Sequence, residues 1–203
     1  MAKEGKPKQQ QMRVRIAAAA ARIMAEDGIE DFAMAKRKAA KQLGAEDTRS
    51  LPANDEVEAE LRAYLSLYQG EEQRERIQQL RTLALSAMQT LVQFRPYLAG
   101  PVLKGTAGRY SDIDLQLFTD DEKSVEMFLL NRHIRFEVEM TRHVAGDRQR
   151  PVSIFQLEWQ GVPVKLAIYS TQDERGTVRT SLSGKPIERA GIPAVVKLLH
   201  ANA

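Results

Sequence analysis

The stretch that decides the fold reads Leu98-Ala-Gly-Pro-Val-Leu-Lys-Gly-Thr-Ala-Gly-Arg-Tyr-Ser-Asp-Ile-Asp-Leu115. A short apolar run leads into a segment with several glycines, and polar and apolar residues then alternate. Because side chains on a strand point to opposite faces in turn, Asp112 and Asp114 project from the same face. Mg²⁺ favours one or two carboxylates together with substrate phosphates. The stretch therefore predicts a divalent-metal site that works with a phosphorylated ligand.

The glycines before the two acids decide this interpretation, because an isolated Asp-x-Asp on a strand is ordinarily a solvated face. Gly105 and Gly108 allow backbone N–H groups to come close to a phosphate. Lys104 and Arg109 supply positive charge to the same segment. We therefore expect a phosphate-binding turn directly before the carboxylate strand.

On the N-terminal side of this stretch, apolar residues repeat at helical spacing up to Pro96. The third and fourth helices carry apolar stripes, which include Val57, Leu61 and Leu65 and then Ile77, Leu80, Ala84, Met88, Leu91 and Phe94. Asn54 is the expected cap of the third helix. The predicted helices cover about residues 12–27, 31–43, 54–70 and 71–94.

On the C-terminal side the apolar period changes to two, which indicates strands. The predicted strands cover about residues 113–117, 134–141, 152–159 and 162–169, with a final helix over 193–201. Gln160-Gly161 is a two-residue hairpin turn that pairs Trp159 with Val162 and places Lys165 on the polar face. The fold class is therefore α+β, with a disordered basic tail (1–11), a helical region (12–95) and a small mixed sheet with flanking helices (96–203).

Composition excludes several classes of protein. The 203 residues include no Cys and only three His, which rules out a disulfide scaffold, a thiolate zinc site and a cysteine nucleophile. The net charge is +3, and the basic excess lies in the first 15 residues, which hold five Lys or Arg and one Glu. The body of the chain therefore has no large excess of charge that would attract a phosphate polymer.

The alanine-rich run after the basic tail is not expected to be a secretion signal. Arg22 interrupts the run, and Glu26-Asp27 follows it. Alanine is also the strongest helix former, so an amphipathic helix is the better interpretation. The longest uncharged stretch, 82–94, has 13 residues and is too short to cross a bilayer. A cytoplasmic protein without a membrane partner is expected.

The stretch 98–115 resembles the signature of the DNA polymerase β-like nucleotidyltransferase superfamily, especially its small bacterial members. That signature is Gly-Ser, three residues, Gly, five residues, Ser-Asp, an apolar residue, and Asp-Leu. Gly100 and Gly105 match its two glycines, and Ser111, Asp112 and Asp114 match its end with every spacing kept. The resemblance covers about residues 95–169 and leaves the N-terminal helices outside.

The resemblance implies transfer of a nucleoside monophosphate from an NTP, with ATP as the expected nucleotide, to an unidentified hydroxyl. Two Mg²⁺ or Mn²⁺ ions assist such a reaction. Asp112 and Asp114 would be the catalytic residues and the metal ligands. The nucleotide and its phosphates would contact Gly100, Lys104, Gly105, Arg109, Ser111 and Lys165.

Two positions depart from the signature at residues that the reaction would use. Pro101 stands where the family has a phosphate-binding Ser, and proline offers neither a hydroxyl nor an N–H. Lys165 stands where a third carboxylate is usual, and a pair with Glu158 would explain it structurally. Glu137 or Glu139 could replace the missing acid. The chain is therefore either a weakened enzyme, a one-metal enzyme or an inactive nucleotide binder.

Two alternatives of other classes stay open. Residues 15–44 resemble the first helices of a TetR-type helix-turn-helix, with Lys36, Arg37, Lys38 and Lys41 as phosphate contacts. The polar, proline-containing segment 45–52 that follows does not favour a recognition helix, so nucleic-acid binding is possible but not favoured. The other alternative is a non-catalytic nucleotide-binding or interaction module.

Overall fold

The computed structural model describes residues 5–29, 31–45, 51–68, 70–108, 111–145, 148–179 and 185–201. Its α-helices are α1 (Gly5–Asp27), α2 (Phe32–Gln42), α3 (Asn54–Tyr68), α4 (Gly70–Thr90), α5 (Gly100–Lys104), α6 (Glu122–Asn131) and α7 (Ile192–His200). Its strands are β1 (Tyr97–Ala99), β2 (Ile113–Phe118), β3 (Phe136–Ala145), β4 (Arg148–Trp159), β5 (Val162–Tyr169), β6 (Val178–Arg179) and β7 (Arg189–Gly191). The chain divides into two compact units, residues 1–75 with 108–111, and residues 76–107 with 112–203.

The first unit is a helical cluster with an alanine-rich core. Helix α1 packs against α2 and α3, and small side chains fill the contacts. The buried residues are Ile16, Ala17, Ala20, Ala21, Ile23, Met24, Ala35, Ala39, Ala40, Val57, Leu61 and Leu65. Asp31 caps α2, since its carboxylate accepts a hydrogen bond from the Met34 N–H at 2.6 Å.

The second unit is built on a seven-stranded mixed sheet in the order β6-β3-β4-β5-β2-β1-β7. Strands β2 and β5 are parallel, and the other neighbours are antiparallel. Gln160-Gly161 joins β4 to β5 in a tight turn, and both residues have positive φ. The register across this turn pairs Trp159 with Val162, as predicted.

One face of the sheet packs against helices and holds the core of this unit. Apolar side chains of β1, β2, β4 and β5 meet α4, α6 and α7 there, including Leu80, Met88, Ile113, Leu115, Leu129, Phe155, Leu166 and Val195. The opposite face of the sheet carries Asp114. At the end of β2 away from Asp114, this face is covered by other side chains. There, Val178 and Ile187 pack with Phe118, Val152 and Tyr169, and the Arg189 guanidinium lies 4.7 Å from the Phe118 ring centre.

The predicted α+β class is confirmed, with helices up to residue 90 and the first described strand at Tyr97. Three local predictions were wrong. Helix α1 already begins at Gly5, because the Lys and Gln residues before Met12 are good helix formers that extend the alanine-rich segment. Asn54 is the first helical residue of α3 rather than its cap. The glycine turn after β1 contains the short helix α5. No helix in the described ranges is long and apolar enough to cross a membrane.

Candidate functional site

The turn from β1 into α5 presses the backbone of Gly100 against the carboxylate of Asp114. Gly100 has a φ of +67°, and a Cβ built on it would lie 2.1 Å from Asp114 Oδ2. Only glycine fits this position, because an L side chain would meet both the backbone strain and the carboxylate. The first glycine of the motif and the second of its acids are therefore in direct contact.

Helix α5 is fixed from behind by a buried arginine of α4. Arg81 is 5% exposed, and its guanidinium donates hydrogen bonds to Val102 O at 3.1 Å and Leu103 O at 2.8 Å. Burial lowers the pKa of Arg81 from its ordinary value. These bonds satisfy carbonyl groups that the end of a helix leaves without partners. Arg81 thus holds the glycine turn in place.

Lys165 pairs with the first acid of the motif and lies beside the second on the neighbouring strand, as the match of the strands to the signature predicts. Strands β2 and β5 place Asp114 beside Lys165 in the parallel register. Lys165 Nζ is 2.6 Å from Asp112 Oδ2 in an ion pair whose side chains are 40% and 22% exposed. The ammonium group therefore occupies a position that a second metal ion would need.

The other acids of the sheet do not complete a three-carboxylate site. Glu137 and Glu139 are both exposed on β3, and Glu139 accepts a hydrogen bond from Gln156 Nε2 at 2.8 Å. Among the described residues, no group of three or more His, Asp or Glu side chains is placed to hold a metal ion. Two carboxylates are a donor set that Mg²⁺ uses in proteins together with substrate phosphates.

The remaining predicted phosphate ligands are placed as follows. Gly105 ends α5, where the Thr106 N–H donates to Pro101 O at 2.9 Å. Lys104 is in the last turn of α5, and Pro101 is in its first turn, where a missing N–H is tolerated. Ser111 is buried, and its Oγ accepts a hydrogen bond from the Gly108 N–H at 2.8 Å. Arg109 lies outside the described residues.

A cavity of about 420 Å³ lies over the sheet face that carries Asp114. One end holds Gly100, Asp114 and Lys165. Its other lining residues are Ala99, Leu115, Gln116, Glu139, Thr141, His143, Ile154, Gln156, Ala167, Tyr169 and Ile187. This volume lies within the usual range for small-molecule sites.

A hydrogen-bonded pair of rings lines this cavity away from the carboxylates. His143 Nδ1 and Tyr169 Oη share a hydrogen bond of 2.6 Å, and the two rings stack at 5.9 Å between centres. Burial lowers the pKa of His143 and raises the pKa of Tyr169. Both groups are therefore uncharged near neutral pH. His143 lies within β3, and His133 is in an exposed turn.

Sequence reasoning missed Arg81, Gln116 and Tyr169 as site residues. A signal existed for the first two. Arg81 is a charge within the apolar stripe of α4, and Gln116 follows Asp114 at the strand period of two. Tyr169 gave no such signal, because aromatic residues at the end of a buried strand are usually core.

Two of the four basic side chains expected to reach DNA are engaged within the helical unit. Lys36 Nζ donates to Pro52 O at 3.0 Å and to Asn54 Oδ1 at 2.7 Å. Lys38 Nζ is 2.7 Å from Asp27 Oδ2. The first turn of α3 carries Asp55 and Glu56, which would repel phosphates.

Comparisons of the chain with protein-family models, curated proteins and solved structures found no match. The candidate site therefore has to be interpreted from its own geometry.

Proposed function

We propose that this protein binds a nucleoside triphosphate, with ATP as the expected nucleotide, through one Mg²⁺ at Asp112 and Asp114. It is proposed to be a nucleotidyltransferase-like protein whose transfer reaction is weak or lost. The observation that carries this proposal is the contact of Gly100 with Asp114 beside the Lys165–Asp112 ion pair. This pairing of a glycine turn with two carboxylates suits phosphate oxygens that share a cation with the protein.

Each side chain has a role in this proposal. Asp112 and Asp114 hold the cation, the backbone around Gly100 and Gly105 faces the phosphates, and Lys165 adds a positive charge. When bound, Mg²⁺ neutralises charge on the triphosphate and on the leaving pyrophosphate.

Lys165 explains why transfer should be slow. In the resemblance, the third acid helps to hold the metal ion that activates the acceptor hydroxyl, and here an ammonium stands in its place. A lysine paired with a carboxylate is protonated and does not accept the hydroxyl proton. The acceptor hydroxyl is then left without activation at this position. The expected location of the protein is the cytoplasm.

The test compares wild type with the double variant Asp112→Asn/Asp114→Asn, with Glu158→Gln as a control at an exposed acid of the same sheet. We expect Mg²⁺ with ATP to raise the melting temperature of wild type and of the control, but not of the double variant. In EDTA the double variant should melt close to wild type, because loss of the partly exposed Lys165–Asp112 ion pair is offset by relief of repulsion between the two acids.

Two outcomes would contradict this proposal. A double variant that melts far below wild type in EDTA would show that the acids are structural. A Mg²⁺–ATP shift that survives in the double variant would place the nucleotide elsewhere. Incubation with ATP labelled at the α-phosphate and a cell lysate then separates a slow transferase, which leaves label on an acceptor, from a binder.

A further inference from the structure

A buried glutamine in the cavity has a polar atom without a partner. Gln116 lies in the middle of β2 on the same face as Asp114, and only 3% of it is exposed. Its Oε1 has no hydrogen-bond partner among the described residues. Buried polar atoms are nearly always paired, and Gln116 is among the residues that line the cavity, so this unpaired oxygen points to a group that comes from outside the protein.

The position of Gln116 fixes its distance from the phosphate end of the cavity. Two residues along a strand span about 7 Å, so Gln116 lies about that far from Asp114. Ala167 is beside Gln116 on β5, and Ile154 is the next side chain across, on β4. A ligand that has its phosphates at Lys165 and Gly100 therefore reaches Gln116 with a group that is separated from those phosphates by the length of a sugar.

The walls around Gln116 are apolar and uncharged. Ile154, Ala167 and Ile187 line the cavity, and so does the hydrogen-bonded His143–Tyr169 pair. Asp114, the acid nearest to Gln116, lies about 7 Å away along β2 at the phosphate end, and Glu139 is exposed and bonded to Gln156. A flat, neutral heterocycle suits such a place better than an ammonium group does, because a cation would lose its water without gaining a buried carboxylate.

We propose that Gln116 recognises the base of the bound nucleotide, with its Oε1 accepting a hydrogen bond from an exocyclic amino group, as on adenine. A glutamine amide carries an acceptor and a donor side by side, and this pair matches the adjacent donor and acceptor on an adenine edge. This inference rests on the proposed function, since the phosphates fix where the base lies.

The experiment is a calorimetric titration of the full-length protein with Mg²⁺ and either ATP or purine riboside triphosphate, which lacks only the amino group. We expect wild type to bind ATP about tenfold more tightly, because without the amino group the buried oxygen stays unpaired. In Gln116→Leu this preference should disappear. Gln149→Leu changes an exposed strand glutamine and should keep the preference. Gln116→Met, which retains the side-chain length, repeats the test if the leucine variant melts early.

The outcomes separate this inference from the proposed function. Equal affinity of wild type for the two nucleotides, with binding still dependent on Asp112 and Asp114, overturns the role of Gln116 and leaves the function standing. Titration with adenosine alone tests the opposite case. Adenosine binding that requires Gln116, without any effect of the two acids on ATP, supports the base contact and overturns the metal site. Binding of none of the three ligands overturns both.

Discussion

The two units of this protein follow different rules. In the helical unit, local propensity and packing agree: alanine fills the core, Asp31 caps α2 and ion pairs such as Arg22–Glu26 join neighbours on a helix surface. In the sheet unit, several side chains depart from such rules within one face. An arginine is buried, a glutamine oxygen is unpaired, and a glycine touches a carboxylate.

This difference indicates where function lies. Natural folds are locally consistent except where a binding or catalytic role justifies the cost. These three departures involve β2 and the turn and helix α5 before it, while the unpaired Trp159 Nε1 and Arg179 Nε lie elsewhere on the sheet. In the helical unit, α2 is capped and surface charges pair. We therefore expect substitutions around Asp114 to alter ligand binding, and substitutions in the helical unit to alter stability alone.

The largest expected effect concerns metal binding at Lys165. Lys165→Asp replaces a cation beside two carboxylates by a third acid. Two unit charges 4 Å apart interact by about 4 kcal/mol in a partly buried setting, so the affinity for a second ion should rise more than a hundredfold. We expect wild type to bind one Mn²⁺ in the presence of nucleotide, and the variant to bind two, as measured by EPR titration.

The control for this experiment is Lys197→Asp, which reverses an exposed lysine on α7 and should leave one ion bound. Two ions bound by wild type would contradict the prediction. That result would mean that another acid, such as Glu139, turns into the site when nucleotide is present.

The next effect compares one glycine from each unit. Gly44 and Gly100 have nearly the same backbone, with φ of +65° and +67°, but nothing lies within 4 Å of a Cβ on Gly44. Gly44→Ala should cost only the left-handed backbone strain, about 1 kcal/mol. Gly100→Ala must also displace Asp114, which brings the loss of unfolding free energy to about 2–4 kcal/mol.

Denaturant unfolding measures both variants, and Mg²⁺–ATP binding gives a second measurement. We expect only Gly100→Ala to weaken nucleotide binding, because it moves a proposed metal ligand. Equal losses of stability in the two variants, with binding unchanged, would show that the contact between Gly100 and Asp114 does not contribute to nucleotide binding.

Much of the sheet could be predicted from the sequence, because its strands alternate clearly and a two-residue turn fixes their register. The pairing of Trp159 with Val162 carried Lys165 to the polar face, and the match between motif and strand order then placed it beside the acids. The register of such a strand pair is determined by the alternation of polar and apolar residues and by the residues of the turn.

The rest of the site depended on contacts between residues far apart in the chain. Arg81 reaches α5 across 21 and 22 residues, and His143 meets Tyr169 across 26. No local pattern encodes such pairs, because they follow from how helices and strands pack. The short strands β6 and β7 were missed for the same reason, since their pairing comes from neighbours and not from their own sequence.

The smallest expected effect is a difference between the two units in how their stability depends on pH. Burial holds the pKa of His143 below 6.5 in the folded state, so the unfolded chain takes up a proton first as the pH falls. The sheet unit should therefore lose stability as the pH falls below about 6.5, by less than about 1.4 kcal/mol per pH unit.

In the helical unit, hydrogen bonds from Tyr64 to Glu26 and from Arg13 to Glu56 lower the pKa of each carboxyl group below 4.5. Their stabilising effect is present above pH 4.5 and is lost only as the pH falls through lower values. The single tryptophan, Trp159, reports on the sheet unit by fluorescence. Far-UV circular dichroism follows the helices of both units, so a loss of helix without a change in fluorescence belongs to the helical unit. We expect His143→Gln to remove the loss between pH 6.5 and 5 from the fluorescence transition and to leave the transition below pH 4.5 unchanged. A wild-type fluorescence midpoint that stays constant from pH 7 to 5 would show that His143 is free to take up a proton in the folded state.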